Sequence, residues 1–178
     1  EVNPSTYTYF VEEIVGSCTS PQTQFTFTIH PPPASPSINP SVITICEGDV
    51  PNSFVAITGG SSGSYNWYDV DPILNPSSVA IFSGSSFFPN QTVSGSYTYW
   101  LTETDLTTTC ISAPSIATFI VNELPLQPVV SANPSAVICE GQVSPTFTAG
   151  QAVGSVGTGD YNWYDSNPAI NPNAILLN

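Results

Sequence analysis

The chain has 178 residues, with 13 Asp and Glu, one His and no Lys or Arg, giving a formal net charge of -13. Lacking any Lys or Arg, it offers nothing electrostatic to nucleic-acid backbones, anionic lipid surfaces or phosphorylated substrates, and those partners are excluded. Apolar residues reach 40% and aromatics 11%, which is enough to build a core and unlike a disordered acidic tail.

In chain order, the first signals are Tyr7-Thr8-Tyr9-Phe10 and Phe25-Thr26-Phe27-Thr28-Ile29, whose alternation predicts strands. The proline-rich stretch 30–36 then reads as a short extended spacer. Between it and a second spacer at 123–128, short alternating runs are separated by Gly, Ser, Pro and Asn. They predict seven strands near 42–45, 54–57, 65–68, 79–82, 86–88, 96–102 and 116–121. Tyr97, Tyr99 and Leu101 share one face of their strand, with Thr98, Trp100 and Thr102 on the other. Ala117, Phe119 and Val121 form a core face in the last strand, as Phe25, Phe27 and Ile29 do earlier. No stretch predicts a helix, and no apolar run approaches the roughly 18 residues of a membrane span. The chain opens on Glu1 with no signal peptide, which predicts a segment of a larger or processed product.

The sequence repeats itself. Ile45-Cys46-Glu47-Gly48 returns as Ile138-Cys139-Glu140-Gly141 at an offset of 93 (139 - 46). Tyr65-Asn66-Trp67-Tyr68-Asp69 returns as Tyr161-Asn162-Trp163-Tyr164-Asp165 at an offset of 96 (161 - 65). Upstream, Tyr7-Thr8-Tyr9-Phe10 matches Tyr97-Thr98-Tyr99-Trp100, and Phe27 to His30 matches Phe119 to Asn122. The spacers set the register: 1–33 is the C-terminal part of one repeat, 34–125 a complete repeat, and 126–178 the N-terminal part of the next. Seven strands in so short a repeat suit a β-sandwich of immunoglobulin type. The expected fold is therefore all-β, a tandem of immunoglobulin-like sandwiches of about 93 residues. Trp67 lies between Cys46 and Cys110, the Cys, Trp, Cys order of such sandwiches, but Thr108 stands where their tyrosine would precede the second Cys.

These residues resemble the tandem immunoglobulin-like repeats of very large cell-surface adhesins in gliding and other Bacteroidetes bacteria. The resemblance is carried by Ile45-Cys46-Glu47-Gly48, by Trp67-Tyr68-Asp69-Val70-Asp71-Pro72 with Asn75-Pro76, by Gly95-Ser96-Tyr97-Thr98-Tyr99-Trp100, and by Cys110 before the final strand. It implies secretion to the bacterial cell exterior, usually by the type IX route, and a role as stalk or adhesive filament. The implied partners are neighbouring repeats of the same protein and, through a distal region, surface glycans or other cells.

Four cysteines allow three connectivities. The preferred one joins Cys46 to Cys110 inside the complete repeat and leaves Cys18 and Cys139 for partners elsewhere. The rival crosses the spacers, Cys18 with Cys46 and Cys110 with Cys139. No Cys-x-x-Cys spacing suggests zinc.

No catalytic constellation emerges, and the chain is not expected to be an enzyme. His30, the lone imidazole, aligns with Asn122 at the end of a strand. The pairs Glu12 and Glu13, and Glu103 and Asp105, read as solvated hairpin ends. Asp69, Asp71 and Asn75 crowd one turn, echoed by Asp165, Asn167 and Asn171. They are the candidate calcium ligands, with backbone capping as the competing use of the same oxygens. Trp67 and Tyr65 are expected in the core. Tyr68 and Trp100 fall on opposite faces of their strands, where glycan stacking competes with packing between repeats. The expected role is a structural stalk or spacer, the alternatives a glycan-binding module or the subunit of a strand-complemented fibre.

Overall fold

A computed structural model describes residues 3–60 and 63–177. The chain divides into two compact units, Glu1–Asn122 and Glu123–Asn178. The described residues form strands and turns without a helix.

The first unit opens with a long hairpin. Strand β1 (Ser5–Val11) leads through the short pair β2 (Ile14–Val15) and β3 (Cys18–Thr19) into β4 (Thr23–Ile29). Tyr7 faces Phe27 and Tyr9 faces Phe25 across the antiparallel ladder, so the alternation read from the sequence puts four aromatic rings on one face.

The rest of the unit is a two-sheet sandwich. Its strands are β5 (Ser37–Asn39), β6 (Val42–Cys46), β7 (Phe54–Ile57), β8 (Gly63–Tyr68), β9 (Phe82–Ser83), β10 (Ser86–Phe87), β11 (Gly95–Asp105) and β12 (Ser115–Asn122). One sheet has the order β10-β7-β5, the other β6-β12-β11-β8-β9. Rings from both sheets meet between them: Phe54 stacks on Trp67 with centroids 6.1 Å apart, and Phe87 meets Tyr99 edge-on at 4.9 Å. Ile43, Ala56, Leu101, Ala117, Phe119 and Val121 complete the buried core. The expected alternation in β11 and β12 is what places Leu101, Ala117, Phe119 and Val121 inward.

Two features depart from the seven expected strands. Strand β5 is additional; it holds three residues between Pro36 and Pro40, where proline punctuation hid it. Strand β9 begins at Phe82, so 79–81 are not in a strand. The chain crosses between sheets at Pro40, because proline has no N–H to continue a ladder; β6 then runs parallel to β12, with Cys46 beside Asn122.

The second unit contains β13 (Val129–Asn133), β14 (Thr146–Gly150), β15 (Trp163–Tyr164) and β16 (Leu176–Leu177). Strands β13 and β14 pair antiparallel, as do β15 and β16. Phe147 and Trp163 lie 6.3 Å apart, the counterpart of Phe54 and Trp67.

Candidate functional site

The acidic turn after β8 is organised by its own side chains. Asp71 Oδ1 accepts the Ile73 N–H at 2.8 Å, while the Asp71 carbonyl accepts the Asn75 N–H at 2.9 Å and its side-chain amide at 3.1 Å. In the second unit Asn167 Oδ1 accepts the Ala169 N–H at 3.0 Å, and its carbonyl accepts the Asn171 N–H at 2.8 Å. An Asn at the Asp71 position performs the same task, so the turn needs a side-chain carbonyl oxygen and not a charge. Asp165 Oδ1 accepts the Ile175 N–H and the Ser166 hydroxyl, both at 2.9 Å. The Ile175 N–H, followed by Ser166, holds its carboxyl below the usual range. Among the described residues no cluster of three His, Cys, Asp or Glu side chains is placed to hold a metal ion.

The carboxylates expected at a solvated hairpin end occupy two unlike places. Asp105 caps the turn between β11 and β12: its Oδ1 accepts the N–H groups of Thr107 and Thr108 at 2.7 and 2.9 Å. The Thr108 and Thr107 amides depress its pKa, and His30 adds a smaller favourable field. Glu103, two residues earlier, is instead fully buried. Its carboxylate accepts the Thr58 hydroxyl at 3.1 Å and the Gly59 N–H at 2.8 Å, tying the end of β7 to the middle of the larger sheet. A signal for this was present, since Glu103 continues the inward series Tyr97, Tyr99, Leu101.

Tyr99 lies in the core, and burial pushes its hydroxyl above the usual tyrosine range, with the Gln91 side chain offsetting part of that rise. Trp67 is fully buried and donates its indole N–H to the Gly84 carbonyl at 3.0 Å. Tyr65 packs against the core from its edge. Trp100 and Tyr68 are half-buried and sit opposite each other in the β11–β8 ladder. Beside Tyr68 runs a groove of about 400 Å3 lined by Pro72, Pro76, Ser78, Thr102 and Ile111. Ser78 Oγ and Thr102 Oγ1 are buried there without a protein hydrogen-bond partner.

All four cysteines are free thiols. The expected Cys46–Cys110 bond is not formed, for a geometric reason. Cys46 neighbours Asn122, the last residue of β12, whereas Cys110 lies in the turn before Ser115, the first. Seven strand steps, about 23 Å, separate those ends, against a Cα separation of roughly 7 Å at most for a disulfide. Cys110 instead reaches the His30 carbonyl, 3.9 Å from its Sγ.

No protein family's profile matches the sequence, and no curated protein matches it.

Proposed function

We propose that the chain is a structural stretch of a secreted cell-surface adhesin or extracellular filament, in which immunoglobulin-like sandwiches follow one another as a stalk. One observation carries this reading: the hydrogen bonds that recur along the chain are those that shape the fold. Glu13 N–H donates to Ser20 Oγ and Ser20 N–H to the Glu13 carbonyl, both at 2.9 Å. Glu103 and Ser112 make the same two bonds at the same lengths. Tyr7 and Tyr97 each donate their hydroxyl to a carbonyl four residues upstream, Asn3 and Val93, an arrangement akin to the tyrosine corner of immunoglobulin-type sandwiches. The Cys46 N–H is held by Asp49 and the Cys139 N–H by Gln142, each in a turn with a left-handed glycine. A repeated architecture of this kind fits a load-bearing spacer.

The test is surface exposure. Antibodies raised against residues 34–125 should label unpermeabilised source cells; label that appears only after permeabilisation would contradict the reading. A glycan-binding role draws on the groove beside Tyr68, which Ser78 and Thr102 help to line. A glycan array probed with the chain and with Thr102→Val favours that role only if binding appears and falls at least tenfold in the variant. Calcium at Asp69, Asp71 and Asn75 is tested by melting in calcium against EDTA. Turn capping predicts an unchanged midpoint, and a saturable rise abolished by Asp69→Asn would establish a site.

A further inference from the structure

The neighbourhood of Cys110 identifies a missing partner. In the sandwich the Asn122 carbonyl points toward β6, accepting the Glu47 N–H at 2.9 Å, and Cys46 is the residue paired with Asn122. The hairpin β1–β4 repeats the register of β11–β12: Ser5 opposite Ile29 and Tyr7 opposite Phe27 reproduce Gly95 opposite Val121 and Tyr97 opposite Phe119. His30 therefore stands where Asn122 stands, and its carbonyl corresponds to the one that faces a β6-type strand. Cys110 Sγ lies at that carbonyl. A β6-type strand beside β4 would bring its terminal cysteine within one strand spacing, about 4.8 Å, of His30. Cys110 Sγ, 3.9 Å from the carbonyl of that same residue, would then be its near neighbour. A hollow of about 360 Å3 opens at the same place, lined by His30, Pro31, Ala34, Gly59, Asp105 and Thr108; it can take the turn that follows such a cysteine.

We propose that Cys110 forms a disulfide across the joint with the Cys46-type cysteine of the preceding repeat, and that Cys46 likewise bonds the Cys110-type cysteine of the following one. None of the four cysteines then has its partner among the other three, in keeping with four free thiols. Cys18 lies at the end of its hairpin away from His30, and Cys46 at the end of the sandwich away from Cys110. Of the three cysteines in the first unit, the joint at His30 thus holds Cys110 alone. Each bond forms by thiol–disulfide exchange: two thiols lose two protons and two electrons to a disulfide oxidant, which leaves as a dithiol. The result is one covalent staple beside every proline spacer, restraining the joint and giving tension a second path around it.

This inference rests on the tandem-repeat reading, and its test keeps the two apart. The source protein is alkylated on intact cells without reduction and cleaved with a Glu-specific protease and chymotrypsin, since trypsin finds no Lys or Arg. Linked peptides are then sequenced by mass spectrometry. The Cys46 peptide should be joined to a peptide containing none of Cys18, Cys110 or Cys139, two hydrogens lighter than the pair of thiols. A Cys46–Cys110, Cys18–Cys46 or Cys110–Cys139 link, or alkylated Cys46, overturns the pairing while leaving the array intact. A source protein without further repeats overturns both.

Discussion

Glu103 is a fully buried carboxylate in a chain without Lys or Arg, held by the Thr58 hydroxyl and the Gly59 N–H. Glu103→Ala should lower the unfolding free energy in urea by about 1–3 kcal/mol, the cost of taking an acceptor from buried donors. A wild-type midpoint would show that the carboxylate fastens nothing. Trp67→Ala, which empties the centre of the core, should cost about 3–5 kcal/mol in the same assay. Asp105 and Asp165 have folded pKa values below the ordinary 3.8. A depressed carboxylate contributes stability above its unfolded pKa and loses it as pH falls through the folded one. By NMR titration these two should therefore protonate only below the ordinary 3.8, and titration at or above it would contradict the capping bonds. The inward place of Trp67 was legible in strand alternation. That of Glu103 was masked by its charge, because the two donors that satisfy it lie about 45 residues away in sequence.

At the level of elements, local pattern carries far where the signal is periodic. Strands β7, β11 and β12 lie where alternating Phe, Tyr, Leu and Val place them. The motif Ile-Cys-Glu-Gly acquires a physical meaning: the Asp49 N–H bonds the Cys46 carbonyl at 3.1 Å, and Gly48 adopts φ +88° in that turn, as Gly141 does at +84°. Nothing crowds either glycine, so the requirement is backbone conformation alone. Gly48→Ala should cost about 1–2 kcal/mol in thermal unfolding. Gly59 is different, since a Cβ there would run into the Ala34 backbone, and Gly59→Ala should be the more damaging change. Equal losses would contradict this distinction. The parallel pairing of β6 with β12 was not legible, because strand order is decided by long-range packing and not by the local pattern. That pairing is also what separates Cys46 from Cys110, so the preferred disulfide failed on topology.

For the molecule as a whole, the recurrence of short motifs in sequence is matched by recurrence of register and hydrogen bonds: Tyr7 with Tyr97, Ser20 with Ser112, Asp71 with Asn167. Aromatic side chains that are buried in the sandwich have exposed counterparts where the neighbouring strands differ: Tyr99 and Phe119 are buried, Tyr9 and Phe27 exposed; Phe54 is buried, Phe147 exposed. A sandwich position becomes a core position only when both sheets are present, so composition showed the apolar residues but not which of them would be covered. We propose that these units belong to a longer series of the same kind, which the intact mass of the protein isolated from its source, measured with and without reduction, would reveal. The mass should be many times 18.8 kDa and survive reduction, and a product of 18.8 kDa under both conditions would contradict a series.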